Sequence, residues 1–100
     1  MATGPNTIFV LDPVAPPPPM PEAKLAARPA ALSGLRVSIL DNNKPNAGPL
    51  MRSIRDELAA RYSVTPALHL TKRSPGSGAS REQLDQLVAG SDVIIVGVGD

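Results

Sequence analysis

The sequence predicts a fold of the α/β class, with a β-α-β-α-β order of elements that follows a proline-rich arm. Three observations support this prediction. Eight of the twelve prolines lie in residues 1–35. Three short apolar runs follow, and two stretches with helical spacing of their apolar residues separate them. We therefore expect residues 1–35 to form an extended arm and residues 36–100 an incomplete α/β domain.

The arm carries the run Pro16 to Pro19 and then Pro21, which favours a polyproline II conformation without internal hydrogen bonds. Such a run serves either as a spacer or as a ligand for an aromatic groove of a partner, and a spacer is the simpler interpretation. Residues 7–11, Thr-Ile-Phe-Val-Leu, favour a pleated surface and are a candidate edge strand.

The first α/β unit begins with a buried strand over Val37 to Leu40, followed by a loop of turn-forming residues at 41–47. A helix comes next. Asn46 or Gly48 can cap it, and Pro49 suits its first turn. Its predicted buried face is a stripe of apolar residues spaced by four, Leu50, Ile54 and Leu58.

The second unit begins with a strand over Val64 to Leu70, which Pro66 assigns to a sheet edge because proline cannot donate to the ladder. After a loop rich in Gly and Ser, Ser80 and Gln83 form a capping box for a helix through Ala89. Its predicted buried residues are Leu84, Leu87 and Val88, and Gly90 is predicted to end it in the left-handed conformation.

The third strand, Val93 to Val96, is a continuous apolar run, typical of a sheet that is covered on both faces. Parallel crossovers of this kind are almost always right-handed. The elements therefore predict a three-layer, parallel half-sheet of the flavodoxin-like or Rossmann-like type.

Charge and composition exclude several classes of function. Ten Lys and Arg against nine Asp and Glu give a net charge of +1, too weak a field to indicate nucleic acid or an anionic membrane as a partner. The chain has no cysteine, hence no disulfide and no thiol nucleophile of its own, and we expect no metal site. The amino terminus lacks the features of a signal peptide, so a cytoplasmic protein is expected.

A candidate binding site lies in the loop after the first strand. This loop combines a carboxylate, three amides and an amine in the sequence Asp41 to Asn46. Asp41 can orient a donor or ligand, Lys44 can balance an anion, and Asn43 and Asn46 can support the loop and cap the helix. The alternative is that these residues only shape the loop.

Glycines that follow the third strand suggest a second part of the same site. Gly97 and Gly99 match the first two glycines of the dinucleotide fingerprint G-x-G-x-x-G, although the third glycine is absent. A structural turn is the simpler interpretation. His69, the single histidine, has no second histidine or cysteine with which to build a metal site, and we interpret it as structural.

Three segments together resemble the start of a known family. They are Val-Leu-Asp-Pro at residues 10–13, Ser-Ile-Leu-Asp-Asn-Asn-Lys-Pro-Asn at residues 38–46, and Val-Gly-Val-Gly-Asp at residues 96–100. In this order and spacing they resemble the UGSC family of selenoproteins and their cysteine homologues. In that family the Gly-Val-Gly-Asp stretch is followed by selenocysteine or cysteine, then by Gly-Ser-Cys and a further α/β segment.

The resemblance implies that the chain is the amino-terminal part of a selenol- or thiol-dependent protein that acts on a small molecule by redox or nucleophilic chemistry. The reactive residue is expected directly after Asp100, so the 100 residues alone are expected to be inactive. A UGA codon read as a stop would explain the end at Asp100, and UAA or UAG there would rule it out. The supporting residues would then be Asp41, Asn43, Lys44, Asn46, Gly97, Gly99 and Asp100.

The alternative is a self-contained module that binds an anion or a nucleotide through the two loops, without catalysis. The sequence leaves the substrate, any cofactor and the oligomeric state open. It also leaves open whether the residue after Asp100 carries selenium or sulfur.

Overall fold

The computed structural model describes residues 4–99. It contains three strands and two helices in the predicted alternating order: β1 (Arg36–Asp41), α1 (Ala47–Tyr62), β2 (Thr65–Thr71), α2 (Arg81–Gly90) and β3 (Val93–Gly97). The strands are parallel and lie in the order β2-β1-β3. The predicted fold class, a three-layer α/β half-sheet, is confirmed.

The two helices cover opposite faces of the sheet. On one face Ile39 packs with Ala47 and Met51 of α1 to form a buried cluster, which Ile95 and Val98 extend. On the other face α2 approaches so closely that a Cβ atom at Gly90 would lie 3.0 Å from Cδ1 of Leu68. This arrangement follows from two right-handed crossovers that run in opposite directions across the sheet, from β1 to β2 and from β2 to β3.

The predicted buried faces of the helices are partly wrong. In α1, Leu50 and Ile54 are exposed and Leu58 is half-buried, whereas Ala47, Gly48 and Met51 are buried. The small residues at the start of α1 let its backbone approach the sheet, and the side chains of Leu50 and Ile54 lie outside this contact. In α2 only Leu87 is buried, while Leu84 and Val88 are exposed.

The sequence predicted the edge position of β2 and the start of α2 correctly, but not the end of α2. β2 lies at the sheet edge, as Pro66 predicted. The capping box of α2 is present, with Gln83 N–H donating to Ser80 Oγ at 3.1 Å and Ser80 N–H donating to Gln83 Oε1 at 3.2 Å. Gly90 is the last helical residue and has no positive φ, so the predicted left-handed stop is wrong.

Among the described residues, the third strand is covered on one face only. Residues of β3 alternate between half-buried and exposed, and Val96 is 65% exposed. The exposed residues lie on the face of α2, which packs against β2 and β1 instead. The free side of β3 is therefore an apolar surface of the described structure.

The arm has no helix or strand among its described residues, 4–35. The candidate edge strand at 7–11 is not formed, and Ile8, Phe9 and Leu11 are each at least 80% exposed. No helix of the described residues is long and apolar enough to cross a membrane.

An ion pair closes the amino-terminal end of the sheet. The carboxylate of Asp92 accepts hydrogen bonds from Arg36 N–H at 2.8 Å, Nε at 3.2 Å and Nη2 at 3.1 Å, and Asp92 N–H donates to the Arg36 carbonyl at 2.9 Å. Hydrogen bonds from Arg36 lower the pKa of Asp92, and the side-chain hydrogen bond to Asp92 raises the pKa of Arg36. This pair joins the starts of β1 and β3.

Candidate functional site

The strand order places a candidate site at the carboxyl ends of β1 and β3. The chain leaves β1 toward β2 on one side and returns to β3 on the other, so the connections diverge between β1 and β3. In open α/β sheets, ligands bind in the crevice outside the carboxyl ends of the strands at such a point. The residues that follow Asp41 and Gly97 lie there.

The loop after β1 is held by its own polar groups. Asp41 Oδ1 accepts a hydrogen bond from Asn43 N–H at 2.8 Å, and Asn42 Oδ1 accepts one from Lys44 N–H at 3.3 Å. Asn43 and Asn46 adopt positive φ angles of 66° and 65°, which Asn tolerates better than most residues. The abundance of Asn in this loop therefore has a conformational cause.

Asn42 connects this loop to the end of β3. Its backbone N–H donates to the Gly97 carbonyl at 3.0 Å, and its side-chain Nδ2 donates to the Val98 carbonyl at 2.6 Å. Asp41 and Gly97 are register partners in the same pair of strands. The two loops thus form one connected structure.

His69 extends the site across β1 to β2. Its Nε2 lies 3.3 Å from Asp41 Oδ2, and the side chains are 21% and 10% exposed, respectively. A carboxylate can only accept hydrogen bonds, so Nε2 is the donor. Asp41 therefore receives one hydrogen bond on each carboxylate oxygen, from His69 and from the loop backbone.

The amino end of α1 packs directly against Asp41. An ideal Cβ atom at Gly48 would lie only 2.8 Å from Asp41 Oδ2, 3.3 Å from Arg52 Nη1 and 3.7 Å from His69 Cε1. The absence of a side chain at Gly48 is what allows this approach. Asn46 occupies the N-cap position, but its side chain makes no capping hydrogen bond.

The residues predicted from the sequence take different places in this geometry. Asp41 is buried and Lys44 is half-buried, whereas Asn43 and Asn46 are exposed and contribute mainly backbone conformation. Gly97 supplies a carbonyl to Asn42 and packs near Met51, and Gly99 is exposed. Asp100 lies outside the described residues.

The sequence prediction gave no functional role to two residues of the site, Asn42 and His69. Asn42 had a usable signal, because it is an amide next to Asp41 at the end of a strand. His69 had none, since regular alternation along β2 would place it on the opposite face from Asp41. Among residues 4–99, no three His, Cys, Asp or Glu side chains come together as metal ligands.

Comparison with known proteins decides the family. The model of the UGSC family matches residues 9–100. The chain belongs to the UGSC family. The matched region includes both loops of the candidate site and most of the arm. No curated protein and no solved structure matches the chain.

Proposed function

We propose that the UGSC-family protein that contains this chain performs selenol- or thiol-dependent chemistry, redox or nucleophilic, on a small molecule. The site is the crevice at the carboxyl ends of β1 and β3. Residues 1–100 hold no cysteine, so the proposal assigns the reactive group to the residue after Asp100. The family resemblance implies selenocysteine or cysteine at that position.

The observation that carries the proposal is the attachment of β3 to the loop after β1, residues 41–46, which we call the Asp41 loop. Asn42 holds the Gly97 and Val98 carbonyls through two hydrogen bonds. The chain that continues from β3 therefore starts beside a buried carboxylate and its imidazole partner. A reactive group carried by this segment would begin its path at a fixed place in the crevice.

In the proposed site, Asp41 and Lys44 orient the substrate, and Asn42 holds the segment after β3 in place. A helix that begins after the reactive residue would stabilise the anion at its amino end and lower the pKa of the selenol or thiol. The cysteine three residues later would then close a reversible Se–S or S–S bond. Closing it removes two electrons and two protons, which an organic disulfide accepts as it becomes two thiols.

The alternative of a self-contained anion- or nucleotide-binding module has less support. An anion bound at a helix amino end interacts with free backbone N–H groups and the positive end of the dipole. At α1 the carboxylate of Asp41 already lies against this end, near Gly48. A second negative group at the same place would meet electrostatic repulsion.

The remaining parts of the proposal concern the partners and the location of the protein. The net charge of +1 gives no reason to expect nucleic acid or a membrane as a partner. We place the protein in the cytoplasm, where the reducing environment keeps a reactive thiol or selenol available.

The test is selective alkylation of the full-length protein, with its own residues downstream of Asp100. Iodoacetamide labelling followed by peptide mass spectrometry should find a fast-reacting selenol or thiol directly after Asp100, and reaction should persist below the pH at which a free cysteine reacts. A full-length protein with no selenol or thiol there, or with one that reacts no faster than free cysteine, would contradict the proposal.

A further inference from the structure

A β-bulge in β2 decides which face His69 occupies. Val37 pairs with Pro66, but Ile39 pairs with His69, so two residues of β2 lie opposite the single residue Ser38. In a regular ladder the same sequence would place Leu68 opposite Ile39 and turn His69 to the face of α2. The extra residue brings His69 to the face that Asp41 and α1 share.

Two polar side chains hold the bulge from different elements. Ser38, which is fully buried, accepts a hydrogen bond from Leu68 N–H at 3.0 Å. Arg55 of α1 donates from Nη1 to the Leu68 carbonyl at 3.2 Å and lies 3.5 Å from the Ala67 carbonyl. These groups replace ladder hydrogen bonds that the bulge interrupts.

We infer that His69 is a positioning residue of the proposed active site and that the bulge in β2 exists to place it there. This inference rests on the proposed function. His69 fixes the Oδ2 atom of Asp41, as Asn43 N–H fixes Oδ1. The carboxylate is thereby held in one orientation between β2 and the segment that leaves β3.

The charged side chains that lie near His69 come from two elements, β1 and α1. The charged groups near His69 are Asp41 on β1, and Arg52 and Arg55 on α1. The two guanidinium groups are held by α1 near the start of the crevice and beside the bulge. A hydrogen bond to Asp41 keeps the imidazole in place among them.

The first test examines the hydrogen bond by itself, in the full-length protein labelled with ¹⁵N. The Nε2–H proton of His69 should exchange slowly with water and be visible by NMR, and it should be lost in Asp41→Ala. It should also weaken in Ser38→Ala, which releases the bulge. If this proton exchanges as fast as that of an exposed imidazole, or is unaffected by Asp41→Ala, the inference is overturned.

The second test uses the full-length protein and compares His69→Leu with His69→Gln. Gln retains an N–H donor close to the position of Nε2, whereas Leu has none. His69→Leu should change the alkylation rate after Asp100 and its pH profile severalfold, and His69→Gln should restore most of the difference. Circular dichroism and unfolding midpoints confirm that both variants are folded.

The outcomes separate this inference from the proposed function. If the group after Asp100 reacts rapidly and both His69 variants have the wild-type rate and pH profile, the positioning role is wrong and the proposed function stands. If that position shows no enhanced reactivity in the wild-type protein, the proposed function fails, and the positioning role of His69 fails with it. The NMR result then reports only whether the bulge builds the His69–Asp41 pair.

Discussion

Asn42 Nδ2 donates a hydrogen bond to the Val98 carbonyl at 2.6 Å, which joins the loop after β1 to the segment after β3. The same residue donates its backbone N–H to Gly97. A family match to residues 9–100 gives this connection a functional context. The link determines where the chain that follows β3 begins.

Replacement of Asn42 by Ala should lower the free energy of unfolding by about 1 to 3 kcal/mol, because two side-chain hydrogen bonds are lost, one to the Val98 carbonyl and one from Lys44 N–H. It should also loosen residues 97–99, which hydrogen exchange of their amides would reveal. Asn43→Gly is the matched control, since glycine adopts the positive φ of that position. Equal exchange rates in Asn42→Ala and the wild type would contradict the role of this link.

Ser38→Ala should be among the more destabilising single substitutions, with a loss of about 1 to 3 kcal/mol, because it leaves the Leu68 N–H of the bulge without its acceptor. Ser91→Ala is the control. It removes the hydroxyl that bonds to Ser38 but leaves the Leu68 interaction intact. Urea unfolding measures both, and the account is wrong if Ser91→Ala costs as much as Ser38→Ala.

Gly48→Ala should destabilise the protein although alanine favours a helix by about 1 kcal/mol over glycine. A Cβ atom there would lie 2.8 Å from Asp41 Oδ2 and displace the carboxylate. Gly78→Ala, where an added Cβ meets no atom within 4 Å, should leave stability nearly unchanged. A more stable Gly48→Ala variant in thermal unfolding would show that helix propensity outweighs the clash.

These variants also show how far the sequence alone predicts the structure. Proline at position 66, the capping box of α2 and the Asn-rich loop were interpretable because each depends on residues that are close in the chain. The bulge depends on Ser38 and Arg55, which contact β2 from other elements. For the same reason, the position of His69 and the buried face of α1 could not be derived from local spacing.

The pair of Arg36 and Asp92 should make stability depend on pH. The folded pKa of Asp92 is lowered by hydrogen bonds from Arg36, so its stabilising contribution is present above the ordinary aspartate pKa of about 3.9 and is lost as the pH falls through the lower, folded value. Asp92→Asn should therefore be less stable than the wild type at neutral pH, and the difference should shrink in acid.

Thermal unfolding from neutral pH to the acid limit measures this difference. Asp85→Asn is the control, because its ion pair with Arg81 is highly exposed and contributes little. An Asp92→Asn variant with the same midpoint as the wild type at neutral pH would contradict the stabilising role of the pair.

The uncovered apolar face of β3 and its unpaired outer edge should cause self-association of the 100-residue chain. Val96 is 65% exposed on a strand whose outer side has no partner among the described residues, and such edges pair readily with other chains. Val96→Lys should reduce the oligomer fraction in sedimentation experiments. Val88→Lys, which changes an exposed residue of α2, should have a smaller effect, and an equal effect would point to general solubility.

The central claim concerns the residue after Asp100 and its place beside the Asp41 loop. Its most direct measurement is the pH dependence of alkylation at this position in the full-length protein, compared with Asn42→Ala. We predict rapid alkylation in the wild type that continues below the pH range of free cysteine, and a slower reaction when Asn42 is replaced. A selenol or thiol there that reacts like free cysteine in both proteins would contradict the claim.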